Sequence, residues 1–331
     1  MRIITFEDVR DIYIKLAQRG VAFSLSKFTL NKTKRTKSSF NTVGFESSNW
    51  WIIPEVKQRW NELITGSKVT TYEEYVSKNY FQGYPSLKMV SIGSGVCSHE
   101  LILAELNPHW EITCVDFSEV LLAKAQEMAN ERQFKNIRFI SRNIHEFEFP
   151  DHSFDVVFFH QSLHHFKELD DFVKKHVVNK LKSTGYLMMN EYVGVNRLQY
   201  PKEQIKAINK CLSLVPKTYR QLYKTNLVKK SYYGSGLLRM IMADPSECVE
   251  SENILPVIHK HFEPVFEKSF GGNLLMPVLK DVSHHFINAR VDQEKQLILN
   301  RLFEFEDQYL TKQPSDFVFG IYKKRVSSDI D

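Results

Sequence analysis

The sequence predicts an α/β protein with a doubly wound, mostly parallel seven-stranded sheet, a helical N-terminal segment and helical cap insertions. Two observations support this fold class. Strand-like and helix-like patterns alternate from residue 88 to about residue 192, which is typical of parallel sheets covered by helices on both faces. Near the end of the chain, residues 316–324 then have the pattern of one more strand.

The first strand, turn and helix form the most informative unit. A strand predicted over 88–93 ends in Gly93-Ser94-Gly95, and helix-forming sequence follows. Glycine permits a positive φ and a close approach to a ligand, and a helix N-terminus favours nucleotide phosphates or other anions. A second strand ends in Asp116, about two dozen residues after Gly93. This spacing is close to that of ribose-binding α/β folds, so we predict a nucleotide site at the turn.

The other elements follow in chain order. Strands are predicted over 88–93, 111–116, 137–142, 154–160 and 185–192, and helices over 98–107, 118–133 and 168–182. Beyond residue 192, helix-like spacing is predicted over 196–240, 244–261 and 274–311, with strands over 262–270 and 316–324. The change of pattern after residue 192 indicates inserted helical segments.

Composition bounds the class of protein. With 43% hydrophobic and 25% charged residues, the 331-residue chain can bury a substantial core, and its net charge of +5 permits a polyanionic partner without requiring one. The four cysteines lie far apart without metal-ligand spacing, so we predict reduced thiols and no metal site. The N-terminus lacks a secretory pattern and no apolar run is long enough for a membrane span, so we predict a cytoplasmic protein without one.

Five segments together resemble the class I S-adenosylmethionine-dependent methyltransferases. They are Val90–Gly95, Val115–Ser118, Phe139–Ile144, Phe154–Phe166 and Gly185–Glu191. Because the five occur in the order and spacing of that family, the chain is identified as a member of it. The resemblance implies a Rossmann-like sheet of the class I type, S-adenosyl-L-methionine as cofactor and S-adenosyl-L-homocysteine as product.

The resemblance also implies a division of the chain into four parts. These are an N-terminal helical or lid segment (1–70), a Rossmann-like cofactor-binding core (71–195), a helical cap insertion (196–245), and the last helix and strands of the core with a second helical insertion at about 273–312 (246–331). The cap insertions are expected to enclose the methyl acceptor.

The cofactor roles of the first two motifs come from the resemblance. Gly93, Ser94 and Gly95 would bring backbone against the methionine part of the cofactor. Asp116 would accept hydrogen bonds from both ribose hydroxyls, and Phe117 would pack against the adenine.

Two further strand ends complete the implied cofactor site. Asn143 and Ile144 match the place where the family recognises the adenine amino group and packs the other face of the ring. His160 and Gln161 would lie beside the sulfonium.

Three positions depart from the family pattern. Ser91 stands in place of the usual acid of the first motif, Cys97 in place of a third glycine, and Asn143 in place of the usual aspartate. An NAD-dependent dehydrogenase would need the full G-x-G-x-x-G motif and continued alternation. The sequence instead has the run His160–Phe166, which resembles a methyltransferase segment.

The candidate catalytic residues lie in the loop after strand four and at the end of strand five. Methyl transfer from a sulfonium chiefly requires positioning, and a base is needed only if the acceptor must lose a proton. His164 or His165 is the candidate base, because histidine ionises near neutral pH. In the alternative, one stabilises the loop and the other packs under the cofactor. Glu191 could orient an acceptor hydroxyl or amine, cap the next segment, or pair with an arginine.

Three tyrosines are candidate acceptor contacts. Tyr192 ends strand five, and Tyr232 and Tyr233 lie in the first cap insertion. Aromatic residues at such spacing also serve simply as packing, so both interpretations stay open.

The leading functional hypothesis is methyl transfer to an O or N atom of a small-molecule, saccharide or natural-product acceptor. An RNA methyltransferase would need a basic channel with stacking aromatics. The stretches Lys32–Lys37 and Lys217–Lys230 could supply charge to it, or form a solvated face. A non-catalytic scaffold of the same fold is the third alternative. We expect a small-molecule or glycan partner rather than nucleic acid, and a homodimer stays open.

Overall fold

The computed structural model describes residues 1–14, 16 and 48–325. The chain packs as two compact units, each assembled from three segments. The first unit is Met1–Val69, Gly194–Cys248 and Ser269–Phe317, and the second is Thr70–Val193, Val249–Lys268 and Val318–Asp331. The basic stretch Lys32–Lys37 lies outside the described residues.

Seven strands form one sheet. They are β1 Leu87–Ile92, β2 Trp110–Asp116, β3 Ile137–Ser141, β4 Phe154–His160, β5 Leu181–Tyr192, β6 Phe262–Gly271 and β7 Phe317–Lys324. Their order is β3-β2-β1-β4-β5-β7-β6. β1 pairs in parallel with β2 and β4, β2 with β3, and β4 with β5. The predicted fold class is confirmed, and the strand order reverses between β1 and β4, where ligands bind in open α/β sheets.

The helices alternate with the strands in the sheet region and dominate elsewhere. They are α1 6–14, α2 Pro54–Thr65, α3 Tyr72–Asn79, α4 Ser98–Leu106, α5 Glu119–Glu131, α6 Leu169–Val173, α7 Lys202–Ser213, α8 Leu237–Ala243, α9 Ile254–His261, α10 Leu275–Leu279 and α11 Gln293–Leu310. No helix in the described ranges combines the length and the apolar character needed to cross a membrane.

Local sequence signals explain several helix ends. Pro54 occupies the first position of α2, and Gly66 ends that helix with a φ of +80°. Thr71 and Glu74 form a reciprocal capping box at the start of α3. Ser118 caps α5 by accepting the backbone N–H of Leu121.

The central strands are buried because helices cover the sheet. In β1 every residue except Lys88 is buried, and β4 is buried from Val156 to Phe159. Continuous apolar runs of this kind are typical of parallel strands that bury both faces.

The structure corrects the predicted connection between β4 and β5. The helix predicted over 168–182 is only α6, followed by a π-helical turn at Lys174–Val178, and β5 begins at Leu181 rather than at residue 185. The β4–β5 pairing passes from Phe154–Leu181 to Val156–Tyr186, so β5 contains extra residues at an irregularity in the ladder. This bulge lets β5 begin before residue 185, the start that the sequence predicts.

The long helices predicted after residue 192 are also shorter than expected. Residues 196–240 contain α7 and the start of α8, and residues 274–311 contain α10 and α11. The helix predicted from residue 244 begins only at Ile254. Asp244 accepts the backbone N–H of Ser246 at 2.9 Å, and such local bonds favour a turn over a helix.

The first unit has its own core. Trp50 packs edge-on against Trp60 at 4.6 Å between ring centroids and also contacts Phe317. One carboxylate oxygen of Glu306 accepts the backbone N–H of Leu275 at the start of α10.

All four cysteines of the chain are free and buried.

Candidate functional site

The sequence-predicted cofactor residues meet at one edge of the sheet. Gly93, Ser94 and Gly95 follow β1, and Asp116 and Phe117 end and follow β2. Asn143 and Ile144 follow β3, whereas His160 and Gln161 end and follow β4. Because β1 to β4 are parallel neighbours, their carboxyl ends share this edge.

The glycine turn needs glycine for two different reasons. Gly93 has a φ of +72°, and a Cβ there would lie 2.8 Å from the Cβ of Ser162. Gly95 has a φ of +56°, and a Cβ there would meet nothing within 4 Å. The space beside Gly95 is therefore open to a ligand, while Gly93 allows the turn and the loop after β4 to touch.

The Asp116 carboxylate fixes the shape of this turn. One oxygen accepts the backbone N–H of Gly95 at 2.9 Å and the other accepts that of Ser118 at 2.8 Å. Asp116 is buried. The predicted glycine-to-acid relation is thus a direct hydrogen bond between the turn and the end of β2, and it orients the carboxylate at the sheet edge.

Two departures from the family motif have structural compensations. Cys97, in the place of the third glycine, is fully buried and still adopts a left-handed φ of 54°. The Ser91 hydroxyl donates to the buried Glu100 carboxylate at 2.5 Å. Burial raises the pKa of Glu100, and the hydrogen bond from Ser91 opposes that rise. The sequence did not indicate Glu100, whose carboxylate lies beside the position where the motif lacks its acid.

The end of β3 forms a local turn. The Asn143 side-chain oxygen accepts the backbone N–H of His145 at 3.2 Å, and its amide donates to Glu146 at 2.9 Å. Ile144 is buried in the core beside this turn. Asn143 and Phe117 are both half-buried.

The loop after β4 is held by Glu191 at the end of β5. The buried carboxylate of Glu191 accepts the backbone N–H of Ser162 at 2.6 Å and that of Leu163 at 2.5 Å on one oxygen. Its other oxygen lies 2.8 Å from His164 Nδ1. Gln161, with a φ of 51°, begins the loop and donates to Asn190.

The structure therefore brings two predicted catalytic residues together and places the third beside them. The ring of His165, which is half-buried, lies 4.3 Å from that of His164. Tyr192 follows Glu191 and is buried, with its ring 6.4 Å from that of His164. A carboxylate that binds one imidazole nitrogen sets the tautomer and the orientation of the ring.

A group of aromatic and acidic side chains at the end of β4 was missed by the sequence analysis. The Tyr72 hydroxyl lies 3.0 Å from His160 Nδ1, and the His160 ring stacks on His99 at 3.5 Å between centroids. His99 Nδ1 in turn lies 2.5 Å from a carboxylate oxygen of Glu73.

The charge state of this group follows from burial. Burial, and then the neighbouring His99, lower the pKa of His160 well below its usual range. Burial alone would raise the pKa of Glu73, but the hydrogen bond and charge of His99 lower it. His160 is therefore held neutral, whereas Glu73 is held ionised. Only the packing of α3 against α4 reveals this group, because Tyr72 and Glu73 lie in no motif.

Tyr232 and Tyr233 belong to the first unit, whereas the residues above belong to the second. Tyr232 is buried, and burial raises its pKa to about 12. Tyr233 is exposed and packs edge-on against Phe6 at 5.4 Å.

The sheet edge fits a nucleoside cofactor. Backbone at Gly95 is open, a buried carboxylate lies at Asp116, and α4 begins directly after the turn. Such an arrangement is common where ribose and its attached groups lie against a helix N-terminus.

Comparison with known proteins gives a family match. A family model described as a methyltransferase domain matches residues 85–260, which is more than half of the chain. No curated protein matches the sequence significantly.

Several solved structures are similar to this chain at low identity. Phosphoethanolamine N-methyltransferase 2 of Haemonchus contortus, in complex with S-adenosyl-L-methionine, is 16% identical, with 88% of this chain and 60% of that chain covered and a TM-score of 0.49. Geranyl diphosphate C-methyltransferase of Streptomyces coelicolor A3(2) is 13% identical, with 77% and 75% covered and a TM-score of 0.47. The [4+2]-cyclase SpnF is 16% identical, with 77% and 80% covered and a TM-score of 0.46.

The family match agrees with the strand order and with the glycine turn and acid at the sheet edge. The chain belongs to the methyltransferase-domain family and is an S-adenosylmethionine-dependent methyltransferase.

Proposed function

We propose that the enzyme transfers its methyl group to an O or N atom of a small-molecule, saccharide or natural-product acceptor, and that His164 removes the acceptor's proton. The observation that carries the proposal is the contact between the buried Glu191 carboxylate and His164 Nδ1 at 2.8 Å. A carboxylate–imidazole pair is a common means of orienting a general base.

We propose different roles for Glu191 and His164. Glu191 is fully buried and already accepts the backbone N–H groups of Ser162 and Leu163. Its role is therefore to position His164 rather than to contact the acceptor. With Nδ1 carrying the proton toward Glu191, Nε2 of His164 is the basic nitrogen.

A general base at His164 is useful only for an acceptor that loses a proton when it is methylated, which favours hydroxyl and N–H acceptors over acceptors without such a proton. S-adenosylmethionine, when bound, supplies a methyl group that its sulfonium already activates. A hydroxyl or protonated nitrogen that gains a methyl group must lose a proton, and His164 Nε2 would hold it, with Glu191 stabilising the resulting imidazolium. His165 is the second candidate for this role.

We propose the cofactor contacts on the same edge. Gly93, Ser94 and Gly95 would hold the methionine part, and Asp116 would accept the ribose hydroxyls. Phe117, Asn143 and Ile144 would surround the adenine, and His160 and Gln161 would lie near the sulfonium. The proposed acceptor contacts are Tyr192, Tyr232 and Tyr233. The proposed cap insertions are residues 196–245 and 273–312.

The proposal is tested by tracing the methyl group. The enzyme is incubated with methyl-labelled cofactor and with separate small-molecule, glycan and RNA fractions, and the labelled atom is identified. We expect label on an O or N atom in a small-molecule or glycan fraction. Label on a carbon atom or only in RNA would contradict the proposal.

The base is then tested with His164→Gln, and His165→Gln tests the second candidate in the same assay. We expect His164→Gln to lower kcat by about a hundredfold or more and to change the cofactor Kd little. An unchanged kcat in the folded His164→Gln enzyme would remove His164 from the mechanism.

A further inference from the structure

Helix α1 has an unusual distribution of side chains. Its acids are buried, with exposed fractions of 2% for Glu7, 4% for Asp8 and 3% for Asp11. Most of its apolar residues point outward, with exposed fractions of 63% for Phe6 and 59% for Val9, and Ile14 at its end is buried. A surface helix of a globular protein normally buries its apolar face, so this helix has the reverse pattern.

The buried charges hold the helix in this orientation. Asp8 accepts the backbone N–H of Gly236 at 2.8 Å and the Arg239 guanidinium at 3.0 Å. Asp11 pairs with Lys280 at 2.9 Å. Because these acids are matched by cations and backbone donors inside the first unit, turning α1 to bury its apolar face would break several buried pairs.

The outward apolar residues continue onto neighbouring chain. Tyr233 packs edge-on against Phe6, and the backbone N–H of Leu238 donates to the Ile3 carbonyl at 3.1 Å. The side chains of Leu238 and Ile3 are both exposed. We define the outer apolar surface as Ile3, Phe6, Val9, Tyr13 and Leu238. Contiguous exposed apolar residues usually mark an interaction site.

Charge decides what kind of partner fits. Within residues 6–14, all of which the structure describes, the exposed side chains include no acid. Exposed Lys224 and Lys230 precede Tyr233 on the adjoining segment, and the carbonyl of Ser231 in this segment accepts a hydrogen bond from Arg10. An apolar surface with cations beside it and its acids withdrawn is complementary to an anionic lipid surface.

We propose that the outer apolar surface binds an anionic membrane, with α1 lying in the plane of the lipid headgroups. Phe6, Val9 and Tyr13 would enter the boundary between headgroups and acyl chains, and Lys230 would contact lipid phosphates. This mode requires a helix that lies on the bilayer rather than one that spans it. It is independent of the acceptor proposed above.

The test uses the full chain and vesicles made of equal parts of phosphatidylcholine and phosphatidylglycerol. The wild-type protein should sediment with these vesicles, and less with phosphatidylcholine alone. The double variant Phe6→Ser with Val9→Ser should bind about tenfold more weakly. Lys230→Ala should weaken binding to the anionic vesicles by about fivefold.

The matched control carries two exposed apolar substitutions in the second unit, Leu106→Ser with Val120→Ser. It should bind as the wild type does. Unfolding curves for each variant confirm that it folds.

Three results would overturn the proposal. The wild type would bind neither vesicle, or the Phe6 and Val9 variant would bind as well as the control variant. In the third, the wild type would be a dimer that ignores vesicles and the Phe6 and Val9 variant a monomer, which would assign the surface to a second copy of the chain.

Discussion

Two buried carboxylates at the same sheet edge hold neighbouring turns in different ways. Asp116 places one backbone N–H on each oxygen, those of Gly95 and Ser118. Glu191 places both backbone N–H groups on one oxygen and gives the other to His164. The first carboxylate shapes a turn, whereas the second joins the shape of a loop to the orientation of an imidazole.

The difference explains what each site can do chemically. A carboxylate that hydrogen-bonds to the glycine turn fixes the backbone against which a ligand can lie, which suits binding. A carboxylate that also holds an imidazole can stabilise the charge that appears when the imidazole takes a proton. Variants of the two carboxylates should therefore separate cofactor binding from turnover.

The largest expected effect is that of Glu191→Gln on turnover. The glutamine oxygen can still accept the two loop N–H groups, but its amide nitrogen then donates to His164 Nδ1. The imidazole must then carry its proton on the nitrogen that should receive the acceptor's proton, so kcat should fall about a hundredfold, no further than in His164→Gln. Steady-state kinetics check this, with the cofactor Kd expected to change much less. Equal losses in kcat and in cofactor affinity would erase the distinction between the two carboxylates.

A smaller effect is expected from Asp116→Ala on cofactor binding. Removing this carboxylate frees the turn and removes the proposed ribose acceptor, so binding should weaken by about 2 kcal/mol or more. Calorimetric titration with S-adenosylmethionine measures it.

Asp155→Ala is the matched control for Asp116. Asp155 also accepts a backbone N–H, that of Lys88 at 2.9 Å, and pairs with Lys182, but it lies near the amino ends of β1 and β4. It should alter stability and leave cofactor affinity unchanged. A folded Asp116→Ala enzyme that binds the cofactor with wild-type affinity would refute the assignment.

The smallest effect concerns pH and His160, which ends β4 directly before the loop that Glu191 holds. Burial and His99 lower the pKa of His160, so the folded protein keeps this imidazole neutral where the unfolded chain binds a proton. The free energy of unfolding should therefore fall as pH drops below about 6.5, by up to about 1.4 kcal/mol per pH unit.

Urea unfolding at neutral and mildly acidic pH measures this slope, and His160→Gln should make it shallower. Since glutamine can still bond to Tyr72, the variant removes the titration while retaining a partner for that hydroxyl. A slope unchanged by the substitution would show that other groups control the acid response.

The fold and one side of the site could be predicted from sequence because their signals are local. Gly93, Gly95 and Asp116 lie in a motif whose spacing follows from one strand, one helix and the next strand. The alternation of strands and helices predicted the sheet, and the five motifs in their order indicated the family. His164, His165 and Glu191 were identified as candidates from their places after β4 and β5.

The partnerships within the site could not be predicted, because they depend on packing. Glu191 meets Ser162 and His164 only through the register of β4 and β5, which a bulge displaces. Tyr72 and His99 reach His160 from two different helices. The reversed α1 was equally hidden, since helical spacing does not say which face is buried.

The contact between Gly93 and Ser162 joins the two halves of this edge. A methyl group at residue 93 would collide with Ser162, whose hydroxyl donates to Ile92 and whose N–H binds Glu191. A side chain introduced at residue 93 would therefore displace the loop after β4, which contains His164 and His165, as well as the glycine turn at the proposed cofactor site. Attempts to change the acceptor specificity should leave Gly93 and Ser162 unchanged and place substitutions in other segments.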